Sequence, residues 1–213
     1  MGSGELFFLL KGLQWTIALS VVGFIGGIVV GLGVALARTC GVRAVERAMA
    51  GYIALFQGTP LLMQLFVVYY ALALYGMKLD AWVAVAFAFT LHASAYLGEI
   101  WRGAIEAVPK GQVEAARALS LSYFWRMKDV VLPQALRISL PATIGFLVQL
   151  IKGTSLASFV GFTELARAGT MVSNQIFKPL LVFGVVGVMY FVICWPLSLY
   201  GTHLERRFAA ATR

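Results

Sequence analysis

The sequence predicts an all-α integral membrane protein, and two observations carry that fold class. Hydrophobic residues make up 61% of the 213 positions and charged residues only 12%, with a mean hydropathy of +0.86, which is outside the range of an ordinary soluble domain. Long uncharged runs alternate with shorter segments that hold most of the charge. Together these features predict five transmembrane helices in a single domain.

Five apolar runs are the predicted spans, and they define one membrane domain over residues 15–204. The runs are 15–37, 48–77, 81–98, 138–151 and 179–202. The first has 23 uncharged residues, enough to cross a membrane at about 1.5 Å per residue. Its Gly27 and Gly31 predict close packing of a neighbouring helix. No nucleotide-binding motif or metal-spaced cluster accompanies the spans, so any energy source has to come from a partner.

Polar or helix-breaking residues interrupt the second and fourth predicted spans. Gln57-Gly58-Thr59-Pro60 stands in the middle of the second, where a solute pathway and a simple proline kink explain it equally well. Pro133, Pro141 and Gly145 predict that the fourth span is short and broken, and it runs into Lys152-Gly153-Thr154-Ser155. Discontinuous helices place free backbone groups at membrane depth, where they can bind a polar solute. This segment is therefore the predicted permeation core.

One histidine, His92, lies inside the third predicted span near Thr90, Ser94 and Tyr96. An intramembrane ionisable residue is a functional candidate by default. Its polar neighbours nevertheless favour a histidine that is simply hydrogen-bonded within the protein.

The distribution of basic residues predicts the orientation in the membrane. With the N-terminus outside, five spans leave 12 Lys and Arg residues on inner segments and 5 on outer ones. Cytoplasmic loops are the ones enriched in Lys and Arg, so the C-terminus and the central charged stretch are predicted to be cytoplasmic. The net charge of +8 follows from this topology, and its scattered pattern does not indicate nucleic-acid binding.

A charged stretch over residues 98–133 separates the third and fourth predicted spans. Its charge density excludes it from hydrocarbon. Residues 112–119 predict a short helix in which Ala115, Ala116 and Ala118 leave a bare surface, and Ser122 is a candidate N-cap for a second helix that begins at Tyr123. Composition alone fits a loop lying on lipid headgroups and a loop docking a partner equally well.

The residues of this stretch resemble the EAA loop of ABC import permeases. Glu114-Ala115-Ala116 is followed by Ser120, Val130 and Leu132-Pro133 at the family's spacing. Ser120 stands where the family usually has glycine, which predicts a turn that needs no positive φ angle.

The resemblance extends over almost the whole chain. The segment 98–119 is similar to the version of the loop in polar amino acid uptake systems, and 57–66 and 152–158 also match that group. It implies the type I ABC importer permease fold, with a cytoplasmic coupling helix-turn-helix within residues 103–132. The implied ATPase-coupling residues are Gly111, Glu114, Ala115, Ala116, Arg117, Leu119 and Ser120.

The resemblance also implies a function and a set of partners. The chain would be a non-catalytic permease of the bacterial inner membrane, working with a second permease, two cytoplasmic ATPases that bind the ATP, and an external or periplasmic amino-acid-binding protein. Membrane lipid is the remaining expected partner, and the chain itself would need no cofactor. The alternative is a self-sufficient secondary carrier or channel, in which His92, Glu99 or Glu164 would relay an ion.

One departure from the family bears on the substrate. Gly145-Phe146 replaces a pair that in relatives often includes a glutamate, and Gly153 stands where aspartate is common. A pathway without a carboxylate disfavours a cationic substrate, so an acidic or neutral polar amino acid is predicted. The predicted path residues are Gln57, Thr59, Gln149, Lys152, Thr154 and Ser155. An equally good interpretation is that Gln149 and Lys152 only anchor a helix end.

Overall fold

The computed structural model describes residues 1–74, 76 and 80–211, and every regular element among them is helical. The α-helices are α1 (Ser3–Arg38), α2 (Arg43–Gln57), α3 (Leu61–Phe66), α4 (Leu72–Leu74), α5 (Ala81–Glu106), α6 (Lys110–Ala118), α7 (Tyr123–Trp125), α8 (Leu132–Gly153), α9 (Leu165–Ile176) and α10 (Pro179–Ala211). Two π-helical stretches (Val67–Ala71 and Arg126–Val131) and a 3₁₀ helix (Thr154–Val160) complete them. Of the turn predicted at Lys78 and Asp80, Lys78 lies outside the described residues.

The centre of the fold is the long contact between α1 and α5. A Cβ atom on Gly27 would lie 2.4 Å from the Cβ of Ala93, and one on Gly31 would lie 3.1 Å from the carbonyl oxygen of Ser94. Glycine is therefore required for the two backbones to approach this closely. The predicted packing role of Gly27 and Gly31 is confirmed.

The second predicted span is two helical segments that meet at a sharp bend. The segments Arg43–Gln57 and Leu61–Ala71 are inclined by 101° to each other. Within the described residues, four helices are long and apolar enough to cross a membrane, and a fifth span results if the bent pair counts as one. The prediction of five spans is compatible with this geometry.

The prediction of a short, broken fourth span is wrong. A continuous helical rod runs from Tyr123 to Val160, so the second helix of the charged stretch is the beginning of this span. Pro133 lies in the first turn of α8, directly after a π-helical stretch, and the helical backbone continues through it. Pro141 is inside α8, and packing of that helix against α5 and α10 holds it in place.

A second core joins both ends of the chain. Leu9 of α1 packs with Leu165 and Ala168 of α9 and with Val182 of α10. Helix α1 begins at Ser3, twelve residues before the predicted span, because this core extends the helix beyond its uncharged part. Helix α9 lies in the chain between the fourth and fifth predicted spans.

Candidate functional site

A polar cleft of about 690 Å³ opens where the bent pair α2–α3 faces the C-terminal end of α8. Five of the six predicted path residues line it, namely Gln57, Thr59, Gln149, Lys152 and Ser155. Thr154 does not: it is fully buried, and its hydroxyl donates to the carbonyl oxygen of Ile151 at 2.6 Å. The break in the second predicted span is thus both a kink and part of a cleft wall.

Gln64, one turn after the break, satisfies the backbone that the break leaves free. Its amide nitrogen donates to the carbonyl oxygens of Phe56 at 2.8 Å and Thr59 at 3.0 Å. The hydroxyl of Thr59 donates in turn to the carbonyl oxygen of Leu55 at 2.7 Å. Free carbonyls inside an apolar bundle are costly, so these bonds allow the bend to exist.

His92 connects this network to the cleft. Its Nδ1 lies 3.0 Å from the amide oxygen of Gln64, as a hydrogen bond requires. The favoured interpretation of His92 as a hydrogen-bonded histidine is confirmed, and the residue also lines the cleft. Tyr96 and Phe146 stack beside it with ring centroids 5.3 Å apart.

The charge of the cleft wall is positive. Among the described residues that line the cleft, Lys152 carries a charge and none is a carboxylate. Gly145 and Phe146 leave α8 without an acidic group at this depth, and the Phe146 ring fills the space with a hydrophobic surface. The described cleft wall therefore presents one cation, amides, hydroxyls and aromatic rings.

Glu99 and Glu164, the two acidic candidates for an ion relay, form their hydrogen bonds with residues outside the cleft. Glu99 accepts from Arg102 Nε at 2.8 Å, and Arg102 also pairs with Glu106 on the same helix. Glu164 is fully buried and caps α9 by accepting from the backbone N–H groups of residues 166 and 167. It also accepts from Tyr190 at 3.0 Å and Thr16 at 3.5 Å, which ties α9 to α1 and α10.

The charged stretch forms the predicted helix-turn-helix, with α6 as its first helix. Gly111, Glu114, Ala115, Arg117, Leu119 and Ser120 are exposed, and Leu119 retains 76% of its accessible surface. Ala116 differs, because it is only 3% exposed and faces the chain's own interior. The prediction that Ala116 belongs to a bare outer surface is therefore wrong, while Ala115 and Ala118 fit it.

The turn after α6 corrects the prediction for Ser120. Its φ angle is +56°, in the left-handed region that favours glycine. The N–H of Leu121 bonds the carbonyl of Ala116 at 3.1 Å, and that of Ser120 bonds the carbonyl of Arg117 at 2.8 Å. These two bonds form a Schellman motif, which requires a left-handed residue after the C-cap whatever its side chain.

Sequence reasoning missed two polar residues that hold helices of the bundle in place. Gln64 and Thr16 are polar side chains inside apolar helices, and both are buried. A lone amide four residues after a proline in an uncharged run could have indicated Gln64, since a broken helix needs a donor for its free carbonyls. No comparable local signal marks Thr16, whose partner Glu164 is distant in the chain.

The architecture defines a class of protein. A membrane helical bundle with a polar cleft at a broken helix and an exposed charged helix-turn-helix has the parts of a transport subunit driven by another protein. The chain belongs to the family of binding-protein-dependent transport system inner membrane components, which matches residues 9–210. Members of this family are non-catalytic permease subunits of ABC transporters, and the self-sufficient carrier is set aside.

Similar proteins come from several bacteria. The chain is 33% identical to a probable amino-acid ABC transporter permease, YckA, of Bacillus subtilis, over 95% of this chain and 89% of that one. It is 36% identical to the L-cystine transport system permease TcyB of the same organism, over 92% and 84%. It is 35% identical to the glutamine transport system permease GlnP of Escherichia coli, over 93% and 92%.

Solved structures agree with this family. A crystal structure of an amino acid ABC transporter with histidines is similar with a TM-score of 0.87 and 31% identity, over 94% of each chain. The MetNI methionine ABC transporter in an inward-facing conformation is similar in fold, with a TM-score of 0.80 and 22% identity, over 97% of this chain and 99% of that one. The predicted type I importer permease fold is confirmed.

We predict that Ser120→Gly stabilises the protein. A left-handed conformation costs an L-residue about 1–2 kcal/mol, and glycine removes this cost at an entropic penalty of about 0.5–1 kcal/mol. The melting temperature of the purified protein should therefore rise slightly. Ser122→Gly is the matched control, because Ser122 has a φ angle of −60° and no side-chain capping bond. Glycine relieves no strain there, so its entropic penalty should lower the melting temperature. Equal destabilisation by both changes would contradict the strain at Ser120.

Proposed function

We propose that this chain is the permease subunit of an ATP-driven importer of a polar amino acid, and that the cleft at the α2–α3 bend is its substrate path. The cleft carries the proposal, because it combines a cation, two amides and several hydroxyls with aromatic rings in an otherwise apolar bundle. An amino acid needs partners for its polar ends and a surface for its side chain. The permeases it resembles in sequence and structure include amino-acid transporters.

The proposed partners are a second permease, two ATPase subunits and an external amino-acid-binding protein. Exposed large apolar residues support a membrane-embedded partner or lipid around α10, including Phe191, Trp195 and Leu199. The exposed polar side of α6 supports a water-soluble partner at the charged end. Glu114 and Arg117 form no salt bridge within the described residues, so both charges are available to that partner.

The proposed orientation places the charged loop and the C-terminus in the cytoplasm and the N-terminus outside. The distribution of Lys and Arg supports it. Thr39, at the end of α1, accepts a hydrogen bond from the hydroxyl of Tyr123 at the start of the long rod, with a distance of 3.4 Å. The α1–α2 turn therefore lies at the same end of the bundle as the charged loop.

Cys40 provides a test of this orientation. It is exposed in the α1–α2 turn, whereas Cys194 is buried against α8. A membrane-impermeant maleimide should label Cys40 in inside-out vesicles and leave it unmodified in intact cells. Cys40→Ser should abolish the labelling, because Cys194 is shielded. Labelling of Cys40 in intact cells would reverse the proposed topology.

The proposed coupling role of the loop can be separated from folding by two adjacent alanines. Ala115→Trp adds bulk on the exposed side of α6, so the chain should insert normally while ATP-driven uptake falls at least tenfold. Ala116→Trp adds the same bulk to the interior and should instead destabilise the chain by about 1–3 kcal/mol. Uptake in proteoliposomes and melting of the purified chain distinguish the two effects. Wild-type uptake by the Ala115→Trp variant would rule out docking through this face.

The proposed substrate is an acidic or neutral polar amino acid. Lys152 repels a cationic side chain, and no carboxylate among the described lining residues offsets the cost of desolvating it. Competition for uptake by the reconstituted complex tests this directly. Glutamine, glutamate or aspartate should displace labelled substrate at concentrations at least tenfold lower than arginine or lysine. Stronger competition by arginine or lysine would contradict the proposed substrate class.

A further inference from the structure

The imidazole of His92 is held in one orientation by a hydrogen bond to the Gln64 amide, and two backbone carbonyl oxygens set the orientation of that amide in turn. The carbonyl oxygens of Phe56 and Thr59 lie 2.8 Å and 3.0 Å from one end of the Gln64 amide. That end must be the nitrogen, because a carbonyl requires a donor. The other end of the amide, 3.0 Å from His92 Nδ1, is therefore an oxygen.

The orientation of the Gln64 amide fixes the tautomer of His92. An amide oxygen only accepts, so His92 Nδ1 carries the proton and donates it. In the neutral ring the remaining nitrogen, Nε2, then has a lone pair and no proton. Within the described residues the His92 side chain forms one hydrogen bond, to Gln64. Nε2 therefore has no hydrogen-bond partner among them.

His92 occupies the inner part of the cleft. It is only 6% exposed and lies beside the rings of Tyr96 and Phe146, with centroid distances of 4.6 Å and 6.3 Å. Lys152, Gln57 and Gln149 line the same cleft but are exposed. The cleft thus has a charged rim and an inner wall of aromatic rings, which carries the hydroxyl of Tyr96 and the imidazole of His92.

This division separates the two ends of an amino acid. Its α-carboxylate and α-ammonium groups keep more hydration at the exposed rim, where Lys152 can pair with the carboxylate. A neutral side chain loses less hydration free energy than a charged group when it enters the inner part of the cleft. A carboxylate side chain would face the lone pair of Nε2 without a donor, whereas a primary amide would donate its N–H to that atom.

We propose that His92 is a specificity-determining residue whose Nε2 accepts a hydrogen bond from a side-chain amide, so that the importer prefers glutamine or asparagine to glutamate or aspartate. Gln64 is the positioning residue that sets the tautomer. The inference rests on the proposed amino-acid permease function and narrows its substrate from polar to amide-bearing amino acids.

Two substitutions at His92 separate the acceptor from the bond to Gln64. The amide of His92→Asn reaches the position of Nδ1, so it can keep the bond to Gln64, but it has no atom at the position of Nε2. The longer side chain of His92→Gln reaches the position of Nε2 and loses the bond to Gln64. The first variant therefore removes the acceptor, and the second removes the support of the bend.

The experiment measures uptake of labelled glutamine and glutamate by the reconstituted complex, with its ATPase and binding protein, together with its melting temperature. The wild type should favour glutamine. His92→Asn should lower the ratio of glutamine to glutamate kcat/KM about tenfold, mainly through a higher KM for glutamine, and should lower the melting temperature less than His92→Gln, because it keeps the bond to Gln64. His92→Gln should lower the melting temperature and retain more of the preference for glutamine.

Other results would overturn the inference. A wild type that favours glutamate, or an equal loss of uptake for both substrates in His92→Asn, would show that His92 does not select the side chain, while the permease function stands. If the wild-type complex imports another polar amino acid but neither of these two, the inference fails and the permease function stands; if it imports no amino acid, both fail. The two failures are distinguishable because only the first leaves uptake of a polar amino acid in place.

Discussion

The side-chain amide of Gln64 is the interaction on which the cleft depends. A helix that bends by 101° inside an apolar bundle leaves carbonyl groups without helical partners, and each such group costs several kcal/mol in hydrocarbon. Gln64 donates to two of them and accepts from His92. The same amide therefore permits the bend, holds the cleft wall in place and sets the hydrogen-bonding pattern that the wall presents.

The rod from Tyr123 to Val160 connects the charged loop to the cleft without a break. It begins next to the turn at Ser120 and carries Gln149, Lys152 and Ser155 at its far end. Helical segments transmit displacement well because their backbone bonds resist bending. One continuous helical element therefore joins the charged end of the bundle to the cleft.

Much of this fold could be predicted from the sequence. The sequence did not reveal which side of α6 faces the interior or that the fourth span is continuous. Charge-free runs located the first and third spans, and the spacing of Glu114-Ala115-Ala116 to Leu132-Pro133 located the helix-turn-helix. Pro141 suggested a break that packing against α5 and α10 prevents. The burial of Ala116 was not predictable, because a nine-residue helix offers several small residues and only tertiary contacts decide which one faces inward.

The burial of Glu164 has a consequence for how the chain is made. Its carboxylate takes donors from three parts of the chain: Thr16, the start of α9, and Tyr190. During synthesis Glu164 emerges before Tyr190, so until α10 is inserted this carboxylate lacks one of its partners. Desolvating an incompletely bonded carboxylate is costly. The last helix is therefore needed to complete the hydrogen bonding of this buried carboxylate, which α1 and α9 do not satisfy alone.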